Sequence, residues 1–157
     1  MIKVTAKFRS RDLGFDRFIR EFEHHRSVSA EAGIFEDAAD PVGTKMTMAQ
    51  LGALHEYGSE KAKIPERSWL RSTFERRSRA WANRVGGELS DYMSRGAGLV
   101  MGMALVGEHM ASDLRRKITT LRRPRNAKST IRRKGSSNPL IDTGLMRNSV
   151  RGRVTTE

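Results

Sequence analysis

The sequence predicts an α+β fold: a small antiparallel sheet, made of an N-terminal β-α-β unit and a C-terminal strand, packed with two long helices. Three observations predict it. Short segments at both ends alternate apolar and polar residues, the period of a half-buried strand. Two long central stretches instead repeat apolar residues at three- and four-residue steps, the period of an amphipathic helix. A glycine-rich turn separates those two stretches. The chain has 157 residues, 37% of them apolar with 14 glycines besides, enough for one core in a single domain over 1–157.

At the N-terminus, Ile2, Val4, Ala6 and Phe8 alternate with Lys3, Thr5, Lys7 and Arg9, which predicts a strand. Phe15, Phe18, Ile19 and Phe22 then fall at i, i+3, i+4 and i+7, one stripe on a short helix. Residues 28–35 alternate again. A loop follows from Asp37 to Met46, marked by its Asp, Pro and Gly. Thr47 and Gln50 have the spacing of a capping box, with Met46 and Leu51 placed as a hydrophobic staple, so a helix begins there. It should end near Tyr57, with Gly58 in the left-handed conformation that stops helices.

The first long helix begins near Ser68 and carries Leu70, Phe74, Trp81, Val85, Leu89 and Tyr92. Its Gly86-Gly87 pair costs about 2 kcal/mol relative to two alanines and is a place for a kink. After Gly96 and Gly98 a second long helix carries Leu99, Met103, Val106, Met110, Leu114 and Ile118. From 119 to 138 the apolar period is lost, and the composition predicts a basic mobile loop with at most one helical turn near Lys128–Arg133. Order returns at Pro139. Asp142 is placed as the N-cap of a short helix, and 150–155 alternates as a last strand.

Several chemistries are excluded or unsupported. Without cysteine there can be no disulfide, thiolate metal site or thiol nucleophile, a composition that fits a reducing cytoplasm. The longest apolar run, Ala97 to Gly107, falls short of the ~18 residues a bilayer span needs, so no membrane partner is expected. His24 and His25 are sequence neighbours and point to different sides of a helix, so they cannot chelate one ion together. His55-Glu56 lacks a second histidine one turn later. A carboxylate pair such as Glu56 with Asp91 has nothing to single it out, and no phosphate-binding glycine loop is present. The expectation is a protein without catalytic residues, metal or cofactor.

The charge is informative. Residues 1–114 hold 17 Lys and Arg against 16 acids, whereas residues 115–157 hold 13 against 2, so one end carries nearly all of the +12 net charge. Such asymmetry implies an anionic partner. The candidate contacts are Arg122, Arg123, Arg125, Lys128, Arg132, Arg133 and Lys134, with either a protein subunit or nucleic acid on the other side. A nucleic-acid-binding protein acting through this arm is one functional reading, although no aromatic residue interleaves the charges for base stacking.

Three segments carry a second reading. Ala53 to Gly58 ends in Glu56-Tyr57-Gly58; Ile64 to Arg71 contains Ile64-Pro65; Ser129 to Gly144 reads STIRRKGSSNPLIDTG. In this order they resemble the phage virion-morphogenesis family, the tail-completion proteins of Mu-like phages and related prophages. Ser68 and Trp69 stand where that family usually has Pro and Phe. The resemblance implies an α+β fold, Glu56, Gly58, Pro65, Asp142, Thr143 and Gly144 as structural motif residues, and no enzyme activity. It also implies a structural virion protein, assembled in the bacterial host cytoplasm, at the neck where head meets tail. There it would form a homo-oligomeric ring, a hexamer by family, against other neck, portal-side or tail-tube proteins. Independently of the resemblance, a basic loop tethered between two anchored points suits contact with a neighbouring subunit or, non-specifically, with packaged DNA in the channel. The sequence specificity of the Ser129–Gly144 block favours a neighbouring subunit over DNA as the partner of the basic arm.

Overall fold

The computed structural model describes residues 15–157 apart from 25, 26, 42, 44, 96 and 97, and places side chains at all of these but 15, 17, 18, 21, 22 and 92–94. The elements in chain order are α1 (Phe15–His24), β1 (Val28–Gly33), α2 (Met48–Tyr57), α3 (Arg71–Ser94), α4 (Leu99–Thr120), α5 (Lys128–Lys134), α6 (Leu145–Asn148) and β2 (Arg151–Thr156). The fold is mixed: a small antiparallel sheet with helices packed on it. The strand expected over residues 2–9 lies outside the described residues, as do the phenylalanine side chains of the α1 stripe.

β1 pairs antiparallel with β2, in a register running from Val28 opposite Thr156 to Gly33 opposite Arg151. Glu31 faces Arg153 across the ladder and pairs with it at 2.8 Å. The Phe35 ring lies under the same guanidinium, 4.0 Å from its centroid, which adds a cation–π contact on this face. α4 crosses the other face, and glycine makes the approach possible. A Cβ on Gly107 would stand 3.4 Å from the carbonyl oxygens of Glu31 and Arg153, and one on Gly152 would stand 2.3 Å from the Gly107 carbonyl carbon. Helix and strand backbones thus meet directly where neither residue has a side chain.

α3 and α4 pack against each other and run antiparallel. Trp81 donates its indole N–H to Asp113 at 2.9 Å, Arg77 pairs with the same carboxylate at 3.0 Å, and His109 meets Glu88 at 3.0 Å. α3 continues through Gly86 and Gly87 without interruption, and a Cβ at either would meet nothing. The core gathers Met48, Trp69, Ala111, Leu114, Ile118, Leu140, Met146 and Val150, so it is built where α4 meets α2, the chain before α3, and the segment around α6. On α4 the expected stripe is buried or half-buried throughout. On the α3 side, Trp81 is buried but Leu70 and Phe74 are exposed, so that stripe is only partly core.

Two expectations about local structure are corrected. Asp142 is not the cap of α6: the N-cap is Gly144, in the left-handed region at φ 84°, and Asp142 is exposed. The helix starts later than the Asp142 spacing requires, and the hydroxyl of Thr143 accepts the Leu145 N–H at 3.3 Å instead. The basic segment holds a seven-residue helix, α5, closed by Gly135 at φ 66°, where at most one turn was expected.

Candidate functional site, a carboxylate-centred junction and an outward basic face

The capping box that starts α2 is present: Thr47 Oγ1 accepts the Gln50 N–H at 3.2 Å, and the Gln50 side chain accepts the Thr47 N–H at 3.0 Å. α2 ends at Gly58, φ 72°, where a Cβ would lie 2.6 Å from the Glu66 nitrogen. Only glycine fits here, because the chain turns back at once through an isolated bridge between Ser59 and Ile64. That reversal carries exposed Pro65 past Gly58 and returns residues 66–71 to the end of α2.

Glu56, one residue from the end of the helix turn, is 2% exposed and receives the returning chain. Its Oε2 accepts the backbone N–H groups of Trp69 at 2.8 Å and Leu70 at 2.7 Å. Its Oε1 accepts the Ser68 hydroxyl at 2.8 Å, the Arg71 N–H at 3.1 Å and the Arg71 Nε at 3.0 Å. The donors surround the start of α3, whose first-turn N–H groups have no partner within the helix. A buried anion there satisfies them and meets the positive end of the helix dipole. Burial pushes the Glu56 carboxyl up, but hydrogen bonds from Leu70, Ser68 and Arg71 outweigh it and hold the pKa below its usual value. Arg71 continues the network to Glu66 at 2.6 Å and lies over the Tyr57 ring.

Ser68 and Trp69 each make a bond that Pro and Phe at these positions could not. Ser68 uses its hydroxyl on Glu56 and also accepts the Ser72 N–H at 3.1 Å; the Trp69 indole donates to the Gly52 carbonyl at 3.0 Å.

From this junction the network reaches the basic segment. Arg67, 5% exposed, donates its backbone N–H to the His55 carbonyl at 2.8 Å. Its guanidinium donates to the Pro124 carbonyl at 3.1 Å and to Asn126 Oδ1 at 3.0 Å. Asn126 and Lys134 both donate to the Asn138 carbonyl, at 3.3 and 2.8 Å, and the Asn138 amide donates to the Thr119 carbonyl at 2.9 Å. Pro139, Leu140 and Gly144 are buried. His55 sits behind this seam; burial, and then the charges of Arg67 and Lys134, lower its pKa to about 4.

The seven basic candidates therefore divide. Lys134 is half-buried and serves the seam. Arg122 is exposed but turns its guanidinium to the Thr119 and Leu121 carbonyls at the end of α4. Arg123, Arg125, Lys128, Arg132 and Arg133 are exposed, and none has an ion-pair partner among the described residues. The Glu56–Asp91 pair is not brought together: Asp91 pairs with Arg95 near the far end of α3, about 30 Å of helix from the Glu56 end. Among the described residues no group of three His, Asp or Glu is placed to hold a metal ion, and no helix is long and apolar enough to cross a membrane.

Sequence reasoning missed Arg67, Asn126 and Asn138. A single arginine among many carries no burial signal, although asparagine beside Pro139 is a turn residue that could have drawn notice. No family model, curated protein or solved structure matches the chain.

Proposed function

We propose that the protein is a non-enzymatic structural component of a tailed-phage virion, a tail-completion protein that forms a ring at the head–tail junction. One observation carries the reading. The three segments that resemble the virion-morphogenesis family, the third far along the chain from the first two, are joined in space through Glu56, Arg67 and, by way of Asn126, Asn138. Segments that resemble a family separately are weak support; segments that also fold into one connected unit are stronger.

A ring needs a surface for the next copy. Tyr57, Leu70 and Phe74 stand 64%, 37% and 58% exposed beside the Glu56 junction, and an apolar hollow of roughly 330 Å³ runs from Leu70 and Phe74 to Met110. Large apolar residues left at the surface around a rigid, hydrogen-bonded turn suit a subunit contact, which rewards preorganised groups. In this reading Glu56 is a support for that surface and not a catalytic acid.

The test is deletion of the gene from the phage or prophage that carries it. Filled heads and complete tails should accumulate separately, with joining restored by the gene supplied in trans. Infectious particles of normal yield from the deletion would end the reading.

A further inference from the structure

The segment from Arg115 to Ile141 contains no acidic residue and no aromatic one. The structure sorts its side chains by direction. Those with a distinctive sequence pattern turn inward: Asn126, Lys134 and Asn138 hold the seam, and Pro139 and Leu140 are buried. The outward set is Arg123, Arg125, Lys128, Arg132 and Arg133, with exposed Arg122 turned to the carbonyls at the end of α4. On α5, Lys128 and Arg132 are four residues apart, as are Ser129 and Arg133, so the cations share one side of the helix while Ile131 and Lys134 lie against the domain.

This sorting changes what the sequence specificity of the Ser129–Gly144 block means. Several of the specific residues are used by the fold itself, and the charged side chains that face out from residues 122–133 are all basic. Elsewhere six exposed arginines, Arg71, Arg84, Arg95, Arg116, Arg151 and Arg153, each pair with a carboxylate, whereas Arg76 and Arg79 on α3 are exposed with no carboxylate partner among the described residues. Within residues 123–133 five exposed cations, Arg123, Arg125, Lys128, Arg132 and Arg133, have no carboxylate partner among the described residues and no acidic residue lies between them.

From this we infer that the face formed by residues 122–133 binds the phosphate backbone of duplex DNA without reading its sequence. Three features favour DNA over an acidic protein or a single strand. Protein interfaces have apolar or aromatic anchors at their centre, and every exposed large apolar residue described lies at or before Met101. Single-strand sites stack bases on aromatic rings, and the chain has none after Tyr92. Arginine-rich surfaces without either feature gain affinity by releasing counterions from phosphates. The inference goes beyond the neck reading and does not rest on it: DNA binding is measured on purified protein, and its failure leaves the deletion phenotype untouched.

The experiment is fluorescence anisotropy of the full-length protein with two labelled 20-base-pair duplexes of unrelated sequence, across a series of salt concentrations. Both duplexes should bind alike, and about four phosphate contacts give a slope of log K against log salt near −3.6. Arg132→Gln with Arg133→Gln should reduce the slope by about 2, as should Arg123→Gln with Arg125→Gln. Arg76→Gln with Arg79→Gln, equal in charge change but on α3, should leave it unchanged. All these residues are exposed, so melting temperatures should stay close to that of the parent. Absence of salt-dependent binding, equal effects from the α3 control, or equally tight binding of poly-glutamate would each overturn the inference.

Discussion

Replacing Glu56 tests the junction on which the rest of the arrangement depends. Glu56→Ala removes both acceptors for the N–H groups of Trp69, Leu70 and Arg71 and for the Ser68 hydroxyl. The Trp69 bond is buried, so that donor would be left without water, at about 1–3 kcal/mol. The Leu70 and Arg71 donors are only partly buried and regain some hydration. The lost anion at the start of α3 adds about 0.3–1 kcal/mol. Arg71 is 47% exposed, so its ion pair contributes little more in solvent. The total is about 3 kcal/mol, which at this chain length lowers the melting temperature by roughly 6–12 °C. Glu56→Gln keeps one oxygen but turns an NH2 toward N–H donors, and should cost about 2 kcal/mol. Because the folded Glu56 pKa lies below its ordinary value of 4.5, its stabilisation is complete above that pH and is lost as pH falls through the folded pKa. Urea unfolding followed by circular dichroism at pH 7 and at pH 3 measures both effects. The parent–Gln gap should narrow in acid. A gap under about 0.5 kcal/mol at pH 7, or one that does not narrow, would refute the assignment.

Gly152→Ala should be the most damaging single-methyl change, preventing β2 from seating on α4, with loss of folded protein in a solubility and melting assay. Gly86→Ala should do the reverse and raise stability by about 0.5–1 kcal/mol in urea titrations, since the site is helical and open. Arg67→Met frees the Pro124 and Asn126 stretch, so trypsin should cut between Arg122 and Lys134 faster than in the parent; equal rates would show that Arg67 does not hold it. His55, neutral in the fold down to about pH 4 but with an ordinary value of 6.5, makes stability decline as pH falls from 6.5 toward 4. His55→Leu should flatten that part of the stability–pH curve.

Local signals were readable and distant ones were not. Thr47 and Gln50 announce the start of α2, and Gly58 its end, because capping is a matter of neighbouring residues. The heptad-like steps of α4 likewise mark a buried stripe. The same reasoning failed at Leu70 and Phe74, since periodicity shows that a helix has an apolar side but not what covers it. It failed at Asp142 because the cap position depends on the backbone of Gly144, and a left-handed glycine beside a good capping residue leaves two starts open. The basic segment is a third case. Composition alone predicts mobility over 119–138, yet buried Arg67, contributed from elsewhere in the chain, and half-buried Thr119 at the end of α4 supply hydrogen bonds that composition cannot count. Glu56 was singled out by resemblance; its chemistry came only from the chain reversal that lays residues 68–71 over it.

The pairing of β1 with β2 also orders events in time. All of α2 to α6 lies between the two strands, so closing the ladder requires the long loop between them to be fixed first. The α3–α4 hairpin is local and can assemble early, offering Gly107 as a surface before either strand arrives. Contact order therefore predicts that the strands dock on a helix already in place and that the ladder forms last. Mutations in the hairpin should therefore slow folding, whereas mutations in β2 should chiefly speed unfolding.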